Sequence, residues 1–179
     1  VHRMAEVERR AFADRSEPLG DPDFWPVPQA GMVHPNYLKA RMADFSPEKA
    51  TPSKGLRAGA PKTSEETTHI SIVDAEGNAA AVTTTLNDSY GSRVVVQGAG
   101  FILNNEMDDF SAKPGAPNMY GAIGGPANAV APGKRPLSSM TPTLVLRDGQ
   151  LSLVVGTPGG TTIPTSVFQV LLNVYEFGL

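Results

Sequence analysis

Polar side chains gather at a few points of a 179-residue chain that is otherwise rich in apolar strand residues. Hydroxyl, amide and carboxylate groups can act as nucleophiles, exchange protons or bind the charged ends of a substrate. Structure alone could explain each group, because threonine favours strands, Asn, Asp and Ser favour turns, and paired glycines allow tight turns. Their combined placement at strand ends and turns indicates a functional site. The groups are Thr67-Thr68-His69, Thr83-Thr84-Thr85 with Asn87, Asn104-Asn105-Glu106 with Asp108-Asp109, Ser138-Ser139, and Gly159-Gly160.

Thr67 lies where a charged connector meets the first predicted strand. A threonine hydroxyl is a poor nucleophile unless a nearby base takes its proton. The threonine's own α-amino group, with a pKa of ~8, can be that base only if the preceding peptide bond has been cut. The position therefore suggests the hypothesis that the Glu66–Thr67 bond breaks and makes Thr67 an N-terminal nucleophile.

The composition changes near residue 66, and we predict two domains, 1–66 and 67–179. Residues 1–66 hold 10 of the 15 Lys and Arg residues and 10 of the 18 Asp and Glu residues, but only 4 of the 18 glycines. This part is predicted to be helical and solvated, with Met4, Ala5, Ala11 and Phe12 on one face of a first helix. Pro35 is predicted to open a second helix, and residues 46–66 to form a flexible connector.

The second part is predicted to contain buried strands followed by a helix, which indicates a layered α/β arrangement. Asp148-Gly149 is a strong hairpin signal. Apolar residues at helical spacing from Ile163 to Val174 predict the helix, with Thr161 or Thr162 as its N-cap. The strands are predicted near residues 70–72, 80–82, 94–97, 101–103, 143–147 and 151–155.

Several function classes are excluded by composition. A formal net charge of −3 gives no electrostatic reason to expect nucleic acid, and no run of ~18 apolar residues predicts a membrane span. The absence of cysteine excludes disulfides and a cysteine nucleophile. The three histidines are scattered, so a zinc site is not expected, and no residue implies an organic cofactor. The glycine-rich stretches 98–100 and 156–161 lack the residues that dinucleotide- and phosphate-binding loops need.

Five long motifs occur in order after residue 66: Thr67-Thr68-His69, Thr83 through Asn87, Leu103 through Ser111, Lys134 through Pro142, and Gly156 through Gly160. In these motifs the chain closely resembles the start of the small subunit of γ-glutamyltranspeptidases, members of the N-terminal nucleophile hydrolase superfamily. Residues 1–66 resemble the C-terminal end of the large subunit, notably at 13–16 and at Gly20-Asp21-Pro22. The resemblance implies an αββα sandwich, made as one precursor and cut into two subunits, of which this chain is a part.

The resemblance also assigns roles to individual residues. Thr67 would be both the self-cleaving residue and the catalytic nucleophile, and Thr85 would hydrogen-bond to it. Some family members have Gln where this chain has Glu106, and a carboxylate should still favour an ammonium group. The remaining roles are Asn87, Glu106 and Asp109 for the donor α-amino group, Ser138 and Ser139 for its α-carboxylate, Gly159 and Gly160 for the oxyanion hole, and Tyr120 for the tip of a lid at Lys113–Asn128.

The implied reaction is γ-glutamyl transfer from glutathione and related γ-glutamyl amides, through an ester on Thr67, to water, amino acids or dipeptides. The implied partners include the remainder of both subunits, with an arginine for the donor carboxylate outside these residues, so the chain alone is expected to be inactive. Family members are usually exported, which implies a periplasmic or extracellular location, although no secretion signal follows Val1. Two alternatives stay open: a related acylase acting on poly-γ-glutamate or glutaryl β-lactam amides, and an inactive fragment left uncut after Glu66.

Overall fold

The computed structural model describes residues 1–52 and 67–179. They form two compact units, the first from residues 1–52 and 107–137 and the second from residues 67–106 and 138–179. The first unit therefore combines residues from both sides of position 66. The subunit boundary at this position concerns processing and stays a prediction. Glu66 and most of the predicted connector lie outside the described residues.

Helices shape the N-terminal part of the first unit, as the sequence predicts: α1 (His2–Ser16), α2 (Gln29–Met32) and α3 (Pro35–Arg41). Helix α3 begins at Pro35, and His34 caps it by accepting the Asn36 N–H on Nδ1 at 3.2 Å. The residues predicted to share an apolar face are not the buried residues of α1. Glu6 and Arg10, which lie off that face, are the buried residues of α1, with 2% and 7% exposed.

Glu6 is buried because its carboxylate is fully paired. Arg10 forms an ion pair with it, Arg9 Nη1 donates to Oε1 at 2.9 Å, and Thr51 donates its N–H at 3.0 Å and its hydroxyl at 2.7 Å. Arg10 also pairs with Asp44 at 2.7 Å. The hydrogen bonds from Arg10 and Thr51 lower the pKa of Glu6 to about 2. We call Glu6, Arg9, Arg10, Asp44 and Thr51 the α1 charge cluster.

Turns dominate residues 107–137, the other part of the first unit. A 3₁₀ turn spans Glu106–Asp109 and another spans Pro126–Asn128. Asn118 Oδ1 accepts the N–H groups of Tyr120 at 3.0 Å and Ala122 at 2.9 Å, which closes a tight turn. Tyr120 is buried there.

The second unit is built from antiparallel pairs of strands, which confirms the predicted strands. β1 (Thr67–Val73) pairs with β2 (Ala79–Thr85), β3 (Val95–Val96) with β4 (Phe101–Ile102), and β5 (Thr143–Arg147) with β6 (Gln150–Val155). Asp148 and Gly149 have φ values of 52° and 78°, which is the left-handed backbone of a two-residue hairpin loop. β2 lies beside β5 and β6, and β1 lies beside β6.

Within the β1–β2 hairpin, the expectation of buried apolar strands is corrected. Ile70, Ile72 and Val82 are each about half exposed, whereas the face that carries Thr67 and His69 is partly covered. Successive side chains of a strand point to opposite faces, so covering the polar face leaves the apolar face open. The Ser71 hydroxyl reaches the Val154 carbonyl at 3.4 Å, which shows that the polar face meets β6.

Helix α4 (Ile163–Tyr175) follows a 3₁₀ turn at Gly160–Thr162, and Ile163 and Val167 are its buried residues. Thr162 occupies the N-cap position but makes no side-chain cap. Its hydroxyl instead donates to the Gly159 carbonyl at 2.7 Å, so the predicted N-cap position is confirmed but the capping hydrogen bond is not formed. Pro164 stands in the first turn, where no N–H is needed.

Candidate functional site

Thr67 and Thr85 are brought together by the register of the first hairpin. β1 begins at Thr67, β2 ends at Thr85, and the two residues are directly opposed. Side chains of opposed residues project from the same face of a hairpin. The Thr67 hydroxyl donates to the Thr85 hydroxyl across 3.3 Å. Thus the structure places the two hydroxyls that the resemblance selects within reach of each other.

Asn87 is fixed beside this hydroxyl pair. Its N–H donates to Thr85 Oγ1 at 3.0 Å, so Thr85 accepts from both Thr67 and Asn87. Asn87 has a φ of 76°, a left-handed conformation that asparagine tolerates better than most residues. Its side chain is buried and donates to the Asn105 carbonyl at 3.2 Å. The backbone therefore turns immediately after β2 and holds the amide near the hydroxyls.

Asn105 joins the turn after β2 to the segment that leads to Glu106. Its N–H donates to the Leu86 carbonyl at 3.1 Å, and its Oδ1 accepts the Asp88 N–H at 3.0 Å. The Glu106 N–H is in turn held by Asn104 Oδ1 at 3.0 Å. Partial burial raises the pKa of the Glu106 carboxyl. A carboxylate in this state gains more than an exposed one from a bound cation.

His69 extends the polar face of the hairpin, and the sequence analysis gave it no role. Its Nδ1 lies 2.8 Å from Thr83 Oγ1, and its Nε2 lies 3.0 Å from Ser71 Oγ. We call Thr67, Thr85, His69, Thr83 and Ser71 the polar ladder. The sequence could have indicated that His69 lies on the same face as Thr67 and Ser71, because residues two apart on a strand share a face.

The polar ladder also fixes the start of the loop after β6. A Cβ atom on Gly156 would lie 2.2 Å from His69 Cε1, so any side chain at this position would collide with the His69 ring unless the ring moved. Gly159 and Gly160 follow in the same loop with φ values of 136° and 55°. Only glycine adopts such a backbone without strain at Gly159. The glycine pair therefore has a conformational reason to be there, whether or not its N–H groups bind an oxyanion.

Ser138 and Ser139 lie in the second unit just before β5. Ser138 Oγ accepts the Met140 N–H at 3.1 Å, and the Ser139 carbonyl accepts the Thr141 hydroxyl at 2.9 Å. These local bonds set the course of the backbone through the serine pair. The structure does not test their predicted binding of a carboxylate.

Asp109 and Tyr120, by contrast, belong to the first unit. The Asp109 carbonyl accepts from the Asn128 side chain at 2.7 Å, and Asn128 Oδ1 accepts the Leu137 N–H at 3.0 Å. Tyr120 is only 6% exposed. The roles of Asp109 in binding an ammonium group and of Tyr120 in a lid stay predictions.

Within 1–52 and 67–179, no three His, Asp or Glu side chains are grouped to hold a metal ion. None of the helices in these ranges has the length and apolar character to cross a membrane.

Comparison with known proteins gives consistent matches. The profile of the family described as gamma-glutamyltranspeptidase matches residues 1–179. The chain is 58% identical over 179 residues to a glutathione hydrolase proenzyme of Pseudomonas aeruginosa, covering 100% of this chain and 32% of that protein. It is 36% identical over 177 residues to the acylase ACY 1 proenzyme of a Pseudomonas species, covering 98% and 29%. The chain therefore spans about a third of the length of these relatives.

A solved structure is also similar. It is a gamma-glutamyltranspeptidase from Pseudomonas nitroreducens complexed with L-DON, with 64% identity and a TM-score of 0.61. The match covers 63% of this chain and 58% of that chain.

Proposed function

Because the chain belongs to the gamma-glutamyltranspeptidase family, we propose that it is the nucleophile-bearing part of a glutathione hydrolase. The proposed reaction is transfer of a γ-glutamyl group from glutathione or a related amide to water, an amino acid or a dipeptide. The observation that carries the proposal is the 3.3 Å contact between the Thr67 and Thr85 hydroxyls at the open end of the hairpin. The name proenzyme, borne by the Pseudomonas aeruginosa relative, supports a processed precursor.

The first proposed step is cleavage of the Glu66–Thr67 bond by Thr67 itself. The Thr67 hydroxyl attacks the Glu66 carbonyl, and the Glu66–Thr67 C–N bond breaks as the hydroxyl proton passes to the Thr67 nitrogen. Water then hydrolyses the resulting ester, which leaves a carboxylate on Glu66 and a free hydroxyl and α-amino group on Thr67. That amine is the base that the hydroxyl needs for later turnovers. Thr85 orients the hydroxyl, because Thr85 is itself held by the Asn87 N–H at 3.0 Å.

In turnover, the Thr67 hydroxyl attacks the γ-amide carbonyl of the donor, and the Thr67 α-amine takes the hydroxyl proton. The C–N bond then breaks as the α-ammonium gives the proton to the leaving amine. This leaves a γ-glutamyl ester on Thr67. Water or the amine of an acceptor attacks the ester, with the Thr67 amine again taking and returning the proton.

The donor ammonium group is proposed to bind Asn87, Glu106 and Asp109. Asn87 and Glu106 are tied to each other through the Asn105 backbone and the Asn104 cap. The raised pKa of Glu106 fits this role, because a bound cation offsets the penalty of a partly buried carboxylate. Asp109 has its role by resemblance alone.

The donor carboxylate and the oxyanion of the tetrahedral intermediate are negatively charged and need hydrogen-bond donors. Ser138 and Ser139 are proposed to bind the donor carboxylate, while the N–H groups of Gly159 and Gly160 bind the oxyanion of the tetrahedral intermediate. Helix α4 begins at Ile163, after the 3₁₀ turn that starts at Gly160, so the positive end of its dipole favours negative charge in this loop. The lid role of Tyr120 rests on the resemblance alone.

We propose the full αββα sandwich for the complete protein. Its support is the exposed apolar face of the first hairpin, since Ile70, Ile72 and Val82 are 48%, 55% and 48% exposed. Large apolar faces of this kind are covered in a finished fold. The remainder of both subunits is the proposed cover and also the source of the carboxylate-binding arginine. A location outside the cytoplasm is proposed by family resemblance alone.

The proposal is tested with the complete protein. Intact mass under denaturing conditions should give two species divided between Glu66 and Thr67. A chromogenic γ-glutamyl anilide should then leave a γ-glutamyl ester on Thr67 in the stopped reaction. A single uncut mass, or turnover without any ester on Thr67, would contradict the mechanism. The uncut alternative predicts one mass and no turnover.

The acylase alternative has an observation in its favour, the 36% identity to an acylase proenzyme. The two functions differ in the donor, because a glutaryl amide lacks the α-amino group of a γ-glutamyl amide. If Asn87 and Glu106 bind an ammonium group, kcat/KM should be higher for the γ-glutamyl anilide. A higher value for the glutaryl anilide would favour the acylase.

A further inference from the structure

A loop from before residue 66 and a segment from after it are locked together inside the first unit. Gly20 and Asp21 lie on one side of this contact, and Ala127 and Arg135 lie on the other. We call these four residues the Asp21 clasp. Asp21 is only 4% exposed and Ala127 is fully buried. The Arg135 side chain is 67% exposed, so the clasp joins a buried carboxylate and a buried backbone contact to an arginine at the surface. It involves both sides of the proposed cut.

The polar half of the clasp saturates one carboxylate. Arg135 donates its backbone N–H to Asp21 Oδ2 at 2.9 Å, its Nε to the same oxygen at 3.0 Å, and its Nη2 to Oδ1 at 2.6 Å. The two side-chain bonds form the fork that a guanidinium makes with a carboxylate. They hold the pKa of Asp21 well below its usual range. Asp23 pairs with the same Nη2, but its side chain is exposed.

The steric half of the clasp leaves no room for a side chain. A Cβ atom on Gly20 would lie 2.1 Å from the Ala127 carbonyl oxygen and 2.7 Å from its carbonyl carbon. Both atoms are backbone, so they cannot move aside as a flexible side chain would. The same oxygen accepts from Lys134 Nζ at 2.8 Å, which holds it in place. The two segments thus approach backbone to backbone.

We propose that the Asp21 clasp is the surface that keeps the two products of cleavage at Glu66–Thr67 bound to each other. The partner of residues 1–52 is therefore the 107–137 stretch of the other product. This inference rests on the proposed function, since only a cut chain has two products. If the products separated, Asp21 would lose its arginine, and the tightly packed backbone at Gly20 and Ala127 would be exposed. Removing the arginine from a carboxylate that is itself buried is more unfavourable than removing it from an exposed one, such as Asp23.

The test compares Asp21→Asn with the matched control Asp23→Asn in the complete, cleaved enzyme. Native mass spectrometry over a dilution series gives the dissociation constant of the two subunits. Asp21→Asn should raise this constant by about tenfold or more, and Asp23→Asn by less than about threefold. Equal constants for the wild type and both variants would overturn the proposal.

A second pair of variants tests the steric half independently. Gly20→Ala should raise the dissociation constant, whereas Gly31→Ala should not, because a Cβ on Gly31 meets nothing within 4 Å. If Asp21→Asn and Gly20→Ala both aggregate, Arg135→Gln decides, since it keeps the backbone N–H and should still weaken the complex by at least about threefold. An unchanged constant in Arg135→Gln would then overturn the clasp.

The outcome is separable from failure of the proposed function. A single uncut mass in the wild type contradicts self-cleavage and, with it, the clasp as a subunit interface. Two masses with subunits that separate equally in all variants contradict the clasp alone. Two masses with selective separation of Asp21→Asn or Gly20→Ala support it.

Discussion

Two buried carboxylates of the first unit, Glu6 and Asp21, differ from Glu106 of the second unit in what surrounds them. In the first unit, Glu6 and Asp21 are buried, and both oxygens of each carboxylate accept hydrogen bonds from arginine side chains. These bonds lower the pKa values of both groups. In the second unit, Glu106 is partly buried, and its pKa is raised by loss of water rather than lowered by a cation. The first pair already has the partners that a carboxylate needs, so it stabilises structure. Glu106 gains most from a cation that arrives from outside.

The same contrast holds for the residues around them. The α1 charge cluster is made of paired ions, whereas the polar ladder is made of hydroxyls and one imidazole. A neutral hydroxyl can be turned into a nucleophile by an adjacent base, but a carboxylate saturated by arginine has little capacity left for chemistry. Burial alone therefore does not identify a functional carboxylate. The direction of its pKa shift and the source of that shift are more informative.

The largest effect is expected for a substitution of Thr67, the reactive residue of the polar ladder. Thr67→Ala in the complete protein should abolish cleavage and reduce turnover of a γ-glutamyl anilide by roughly 10⁴-fold or more, because no other hydroxyl takes its place. Thr68→Ala, on the opposite face of β1, is the matched control and should still cleave. Intact mass and anilide release measure the two outcomes. Cleavage in Thr67→Ala would show that the reactive residue lies elsewhere.

Gly159 is expected to give the next largest effect. Gly159→Ala would strain a backbone at φ 136° and place Cβ 2.9 Å from Thr162 Oγ1, so the glycine pair would shift. If its N–H groups bind the oxyanion, kcat should fall by about 10²-fold.

Gly149→Ala is the matched control for this change. It also has a positive φ, 78°, but a Cβ there meets nothing within 4 Å. It should lower stability by about 1 kcal/mol and leave kcat unchanged. Steady-state kinetics and urea unfolding separate the two effects, and an equal fall in kcat would argue against the oxyanion role.

Much of the fold could be predicted because local signals dominate in it. Pro35 begins a helix, Asp148-Gly149 forms a hairpin loop, and the apolar spacing after Ile163 gives α4. The face of α1 and the faces of the β1–β2 hairpin could not be predicted in this way. Their burial depends on partners distant in sequence, such as Thr51 for Glu6 and Val154 for Ser71.

In the candidate site too, features set by local structure could be predicted and features set by long-range packing could not. The hydroxyl pair of Thr67 and Thr85 follows from the register of one hairpin. The sequence predicts the two strands of this hairpin, whereas the contact between the two threonines came from the resemblance. The role of Asn105 as a bridge and the contact of His69 with Gly156 depend on longer-range packing, so the pattern of residue types did not reveal them. The chain order also conceals that residues 107–137 join residues 1–52 in one unit.

The structural side of the comparison is tested at Glu6. Glu6→Gln leaves Arg10 with one fewer anion and should lower Tm by ~5 °C or more at neutral pH. The sign follows from linkage: a pKa lowered from 4.5 to about 2 gives stability that is present above pH 4.5 and is lost as pH falls towards 2. The Tm difference between Glu6→Gln and the wild type should therefore shrink in acid. Glu48→Gln, at an exposed site, is the control, and a constant difference between pH 7 and pH 2 would contradict the account.

The binding side of the comparison is tested at Glu106. Glu106→Gln should weaken inhibition by free L-glutamate about tenfold and leave inhibition by glutarate, which has no α-amino group, nearly unchanged. Because the pKa of Glu106 is raised, glutamate binding to the wild type should decline with falling pH sooner than for an ordinary glutamate side chain. Glu76→Gln, in the exposed turn between β1 and β2, should behave as the wild type. Equal losses for glutamate and glutarate in Glu106→Gln would count against an ammonium site.

The smallest effect is expected at an exposed ion pair in the second unit. This pair differs from the ion pairs that Glu6 and Asp21 form in the first unit, in which the carboxylate is buried. Arg93 Nη2 lies 3.8 Å from Asp88 Oδ2, and the Arg93 side chain is 78% exposed, so the pair should contribute at most ~0.5 kcal/mol. Arg93 also has a φ of 61°, a conformation that disfavours a side chain by ~1 kcal/mol. Relief of this strain is about as large as the lost ion pair and the added freedom of glycine in the unfolded chain together. Arg93→Gly is therefore expected to change the free energy of unfolding by less than ~0.5 kcal/mol, whereas Arg147→Gly in strand β5 should lower it by ~1 kcal/mol. Urea unfolding of both variants checks this, and an equal loss in the two would mean that the exposed ion pair matters more than the backbone.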